Sequence, residues 1–161
     1  MRAEPFDEFV REATAPLLGR ARALTGDQNE AWDLVQETLA RIGERWHRID
    51  DPAAYAHTVM VRLNVDRIRR LRSDLRLRRR LPLPEPALPP GDGLDAWLVD
   101  ALHTLSPHQR TALALRYLDD LDVEEIARRL RCRPGTARSH LSRGLARLRA
   151  AAPTTLSKED R

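Results

Sequence analysis

The chain has 161 residues, 42% hydrophobic but only 4% aromatic, and a formal net charge of +4. So few rings leave a core of Leu, Ala, Val and Ile, which suits compact helical cores better than a broad β sandwich. No apolar run approaches the ~20 residues of a membrane span, acids interrupt the N-terminal MRAEPFDEFVREA where a signal peptide is apolar, and the lone Cys132 excludes an intrachain disulfide or a Cys-cluster metal site.

Residues 6–24 read as a Leu/Ala-rich helix ending at Thr25-Gly26, with a new start near Asp27. In the next segment Ala31, Leu34, Val35, Leu39, Ile42 and Trp46 form one stripe at helical spacing, and Asp33, Gln36, Glu37 and Arg41 lie opposite. HRIDDP, residues 47–52, breaks the pattern and predicts a loop. From Ala53 the chain is helical again through AAYAHTVMVRLNVDRIRRLR, apolar at first and Arg-rich later. LPLPEPALPPGDG, residues 81–93, holds five prolines and two glycines and reads as an extended linker between two domains. Residues 94–105 and 107–117 are helical in pattern, and no internal repeat is evident.

The last segment is the most informative. Asp122-Val123-Glu124-Glu125 has the form of a capping box, in which Asp122 accepts from the Glu125 amide and Glu125 reaches back. Val123, Ile126, Ala127 and Leu130 then give two turns of amphipathic helix. Arg131-Cys132-Arg133 is a short connection, and Pro134 stands where a first helical residue often does. The helix beyond it aligns Ala137, Leu141, Leu145 and Leu148 on one side and Arg138, Ser139, Ser142, Arg143 and Arg149 on the other. A two-turn helix, a tight turn and a longer helix with a basic, hydroxyl-bearing face predict a helix-turn-helix, whose second helix enters the major groove. There Arg can bond guanine bidentately and Ser can bond bases or phosphates.

Charge follows the same division. Residues 1–57 sum to −4, 58–81 to +7, 82–125 to −7 and 126–150 to +8, and two separate basic surfaces fit a polyanion contacted at two places, the bland alternative being solvated helix faces. Other residues carry blander readings. Cys132 is a small buried hydrophobe, and the five His residues lack paired ligand spacing, so no metal is expected. Trp46 and Tyr55 are read as core packing, with stacking on bases the alternative. No Ser-His-Asp set, Gly-rich phosphate loop or paired carboxylates appear, so neither an enzyme nor a cofactor is expected.

LHTLSPHQRTALALRYLDDLDVEEIARRLRCRPGTARSHLSRGLARLR resembles the fourth region of the extracytoplasmic-function sigma factors, the smallest class of the sigma-70 superfamily. NEAWDLVQETLARI resembles that family's polymerase-clamp-binding segment, and DDPAAYAHTVMVRLNVDRIRRLR its −10 recognition segment. The resemblance implies an all-α protein of two small helical domains. Residues 1–75 would be a region 2 helical bundle, 76–96 the Pro-rich linker, 97–152 a region 4 helix-turn-helix, and 153–161 a tail. It implies docking on the β′ clamp of core RNA polymerase through Asp33, Gln36 and Glu37. Asn64 and the loop at Asp50 and Asp51 would capture −10 bases of promoter DNA, with Arg62, Arg67 and Arg69 on phosphates. The second domain would sit on the β flap and read the −35 element through Arg138, Ser139, Ser142 and Arg143. An anti-sigma factor is a further implied partner; no homo-oligomer is required, and the expected location is cytoplasmic, associated with the nucleoid.

Three positions depart from the family pattern: Arg131 where Gly is usual in the turn, Arg133 in place of a Ser cap, and Ala137 in place of a common Val. The competing reading is a stand-alone helix-turn-helix regulator, which normally needs a dimer interface to match a two-fold operator; the second domain has no heptad seam for one. An adaptor without DNA contact fits poorly with the Arg-rich outer face.

Overall fold

The computed structural model describes residues 4–77 and 96–153, which form seven helices and, among the described residues, no strand. Contacts divide the chain into two units, Met1–Pro86 and Ala87–Arg161. Most of the linker expected at 76–96 and all but the first residue of the tail at 153–161 lie outside the described residues.

In the first unit α1 (Glu4–Thr25), α2 (Gln28–Arg45) and α3 (Pro52–Leu77) pack against one another. The expected break at Thr25-Gly26 is made by Gly26 at φ 68, whose amide bonds Arg22 O at 2.8 Å. This left-handed position favours glycine. Asp27 then caps α2, its carboxylate accepting from the Glu30 amide at 2.8 Å. Ala31, Leu34, Val35 and Ile42 of the expected stripe are buried, and so is Thr38, whose hydroxyl is satisfied by Leu34 O at 2.7 Å. Trp46 opens a single 3-10 turn, Trp46–Arg48, and its ring packs on Phe6 and Phe9 with centroids 5.2 and 5.3 Å away. The ring packs within the unit, although Trp46 itself stays half-buried. α3 buries Val59, Met60, Val61, Leu63, Asn64 and Val65, so along that stretch Arg62 alone reaches solvent.

The second unit contains α4 (Ala96–Thr104), α5 (Pro107–Tyr117), α6 (Val123–Leu130) and α7 (Pro134–Ala151). Leu102, Leu105 and Leu113 form a buried cluster that Leu98, Leu141, Leu145 and Leu148 cover. α5 opens with a complete capping box between Ser106 and Gln109, at 3.1 and 3.2 Å. Arginines close the end of α4. Arg110 Nη1 donates to Leu102 O at 3.1 Å and Leu105 O at 2.9 Å, and Arg147 of α7 donates to Thr104 O. α7 meets α5 closely at Gly144, where an added Cβ would lie 2.9 Å from Leu113 Cδ1 and 3.3 Å from Gln109 Cβ.

Candidate nucleic-acid interface

α6 and α7 form the expected helix-turn-helix. Asp122 caps α6 by accepting from the Glu125 amide at 2.8 Å. The reciprocal half of the box is not made, because the Glu125 carboxylate turns to Arg129 at 3.0 Å and to Arg128. Those bonds, Arg129 first, hold the Glu125 carboxyl below its ordinary pKa. Ile126, Ala127 and Leu130 are buried, and Val123 is half-buried.

The turn is a Schellman closure. Cys132 N bonds Ala127 O at 2.9 Å and Arg131 N bonds Arg128 O at 3.1 Å. Arg131 occupies the left-handed position itself, at φ 54 and ψ 47. An arginine thus adopts the conformation that glycine takes without steric cost. Cys132 is half-buried and burial raises its thiol pKa, consistent with a packing residue. Arg133 precedes α7 with no side-chain capping bond, and Pro134 follows at the first helical position.

On α7, Ala137 and Gly144 are buried while Arg138, Ser139, Ser142, Arg143 and Arg149 are exposed. Arg138 Nη2 reaches Glu124 of α6 at 3.3 Å, a pair more than half exposed on each side. The outer face thus presents one guanidinium held by a carboxylate and, one turn further on, exposed Ser142 and Arg143.

In the first unit Asp33, Gln36 and Glu37 are all exposed on α2, with Glu37 paired to Arg41 at 3.3 Å. Asp50 and Asp51 line an open pocket of about 650 Å³ together with Arg45, Arg48, Ile49, Ala54, Tyr55 and Thr58. Asp51 is also the cap of α3, accepting from the Ala54 amide at 3.0 Å. Tyr55 differs from its reading as core: it lines this pocket, with its hydroxyl 3.5 Å from Arg45 Nη1. Nothing in the sequence pairs Arg45 with Tyr55; a 3-10 turn between them brings them together.

Asn64 and Arg67 are the enclosed members of the expected −10 set. Asn64 has no exposed surface, because α3 is buried on nearly all sides there, and its Oδ1 accepts from Arg67 Nη2 at 3.2 Å. Arg67 is ion-paired with Glu30. As they stand, neither presents a free side chain to DNA, whereas Arg62 and Arg69 are exposed as expected. No His/Cys/Asp/Glu cluster suited to a metal occurs among the described residues.

Residues 9–73 match the family model Sigma-70 region 2, and residues 95–148 match Sigma-70, region 4. An RNA polymerase sigma-E factor of Streptomyces coelicolor is 36% identical over 155 residues, spanning 89% of this chain and 84% of that protein. An ECF RNA polymerase sigma factor of Mycolicibacterium smegmatis, SigE, is 32% identical, spanning 89% of this chain and 60% of that protein. The chain belongs to the sigma-70 family, in its extracytoplasmic-function class. Among solved structures, the sigma factor RpoE of Bartonella quintana, crystallised with the anti-sigma factor NepR, shares the fold at TM-score 0.68. It is 24% identical, with 98% of this chain and 99% of that one covered.

Matches to both regions make this a sigma factor rather than a stand-alone helix-turn-helix regulator, and place it among regulatory proteins. No helix among the described residues is long and apolar enough to cross a membrane.

The sigma factor's turn sets up a test of local stability. A non-glycine residue in the left-handed region costs about 1–2 kcal/mol, and glycine loses about 0.5–1 kcal/mol through chain entropy. Arg131→Gly is therefore expected to stabilise the C-terminal unit by roughly 0.5–1 kcal/mol. Arg133→Ser, which restores a cap, should add about 1 kcal/mol. Urea unfolding of the full chain measures both. A lower midpoint for Arg131→Gly would mean that the arginine's own interactions outweigh its backbone strain.

Proposed function

We propose that this sigma factor works by joining core RNA polymerase to promoter DNA through two separately folded readers. The N-terminal unit docks on the polymerase β′ clamp with Asp33, Gln36 and Glu37. It takes unpaired −10 bases at the pocket of Asp50 and Asp51, where Tyr55 offers a stacking face, with Arg62 and Arg69 on the strand's phosphates. Asn64 and Arg67 contribute from beneath rather than at the surface. The C-terminal unit sits on the β flap and reads duplex −35 DNA with Arg138, Ser139, Ser142 and Arg143. The division into residues 1–75 and 97–152, a separate anti-sigma partner and a cytoplasmic location associated with the nucleoid belong to the same reading.

The observation that carries it is the outer face of α7. Its four polar readers are exposed, while Ala137 and Gly144 are closed against the neighbouring helices. Such a face fits the major groove, where Arg and short hydroxyls carry sequence readout.

The reading is tested by transcription in vitro with core polymerase and sequencing of the start sites. Asp33→Arg combined with Glu37→Arg should lower core affinity on the order of tenfold or more, since charges of the wrong sign at an interface cost up to several kcal/mol. Helicity and melting should stay nearly constant, because both side chains are exposed and the lost Glu37–Arg41 pair contributes little. Unchanged retention on core enzyme would remove this face from the interface.

A further inference from the structure

Arg67 stands in sequence among arginines assigned above to phosphate, yet its surroundings set it apart. Arg62 and Arg69 are exposed, whereas the Arg67 side chain keeps 21% of its surface. Its Nη2 donates to Asn64 Oδ1 at 3.2 Å, and its Nη1 pairs with Glu30 Oε2. Asn64 is fully buried on α3. Glu30 belongs to the first turn of α2, where its amide is fixed by the Asp27 cap at 2.8 Å. The same cleft, about 270 Å³, is lined by Asp33 and Glu37 of the docking face and by Arg70 and Leu71 of α3. A phosphate could recruit Arg67 only by displacing a carboxylate from a guanidinium already turned inward. A planar guanidinium holds its donors in a fixed fork on a long stem, whereas a lysine ammonium is a single point of charge that must choose a position between the two helices.

We propose that Arg67 is a positioning residue: bridging Glu30 of α2 to Asn64 of α3, it fixes the register of the DNA-reading helix against the polymerase-docking helix. This rests on the assignment of α3 to −10 reading made above. Arg67 then acts on DNA through where it sets Arg62 and the Asp50–Asp51 pocket, without touching the strand.

The test uses holoenzyme reconstituted from core polymerase and full chain, and a promoter bubble with a pre-melted −10 strand, over a salt series. For each variant the ratio of affinities for cognate and scrambled −10 strands is measured, together with the slope of log affinity against log salt. Arg67→Ala and Glu30→Gln should each lower the cognate preference by roughly 3- to 30-fold, the range seen when a coupling element is removed. Both should leave the salt slope unchanged. Arg62→Ala should instead reduce the slope by about 0.7, the share of one single-strand phosphate contact. Arg67→Lys keeps the charge but not the fork, so it should behave like Arg67→Ala. Melting curves for the milder Glu30→Gln separate lost register from lost folding. The proposal is overturned if Arg67→Lys is silent while Arg67→Ala lowers the slope, or if Glu30→Gln is silent or tightens DNA binding by freeing Arg67. No slope change in Arg62→Ala, with no cognate preference in the parent holoenzyme, would remove the −10 assignment and this proposal with it.

Discussion

Ile126→Ala is expected to cost the C-terminal unit about 2–5 kcal/mol, the range for truncating a fully buried aliphatic side chain to alanine. Ile126 has no exposed surface and lies at the centre of α6, which is eight residues long. A helix that short does not persist alone in water. Its Asp122 cap contributes only about 1 kcal/mol, so packing of Ile126, Ala127 and Leu130 on α5 and α7 holds it in place. A small unit supplies little more than 3–5 kcal/mol in total, and the loss should leave much of it unfolded near 37 °C. Binding to cognate and scrambled −35 duplexes should fall together, because α7 loses its support. Val123→Ala, half-buried on the same helix, is the graded control and should cost clearly less. Urea unfolding followed by circular dichroism reads both, and a cost under about 1 kcal/mol for Ile126→Ala would show that capping, not packing, maintains α6.

Arg138→Ala and Arg143→Ala should each weaken binding to the cognate −35 duplex by about 1–3 kcal/mol where the lost contact is bidentate to a base. The loss on a scrambled duplex should be small. A phosphate contact would weaken both duplexes equally and reduce the salt slope by about one unit. Neither change should disturb folding much. The Arg138–Glu124 pair is exposed, and such pairs contribute about 0–1 kcal/mol. The two arginines should nonetheless differ. Glu124 presets the Arg138 side chain across the turn, whereas Arg143 is exposed, so Arg143 should lose more side-chain entropy on binding. If both can be truncated with −35 discrimination intact, α7 is not the reader and the helix-turn-helix serves another contact.

Much of this architecture was legible because its signals are local. Gly26 and Asp27 mark one helix junction, and Asp122 and Pro134 mark two helix starts, each through backbone chemistry within four residues. The polar face of α7 was readable because that helix is buried on one side only. α3 was harder. Between Val59 and Val65 it is buried on most sides, so apolar periodicity fades and a polar residue there looks available when it is enclosed. The roles of Asn64 and Arg67 came from the family resemblance, which carries no information on burial, and an arginine's partner on another helix leaves no mark in its own segment. Glu125 was expected to close the capping box, but two arginines one turn on compete for it with full charge. The Ser106–Gln109 box, by contrast, has the local sequence form Ser-x-x-Gln, and both of its bonds are made. The close approach at Gly144 depends on how α7 crosses α5, which no single segment encodes.

The bond from Arg147 to Thr104 has a temporal meaning as well as a spatial one. Thr104 ends the first described helix of its unit and Arg147 lies in the last described one, so the carbonyl leaves the ribosome well before its donor exists. Until α7 is synthesised, the Thr104 carbonyl has only water in place of Arg147, and the Leu102–Leu105–Leu113 cluster lacks the three leucines of α7 that cover it. Translation therefore delivers α4, α5 and α6 as an incomplete assembly with apolar surface uncovered. The DNA-reading helix is then also the piece that completes the unit, and an interrupted chain ending inside α7 is a substrate for chaperones or proteolysis rather than a partial reader of promoters.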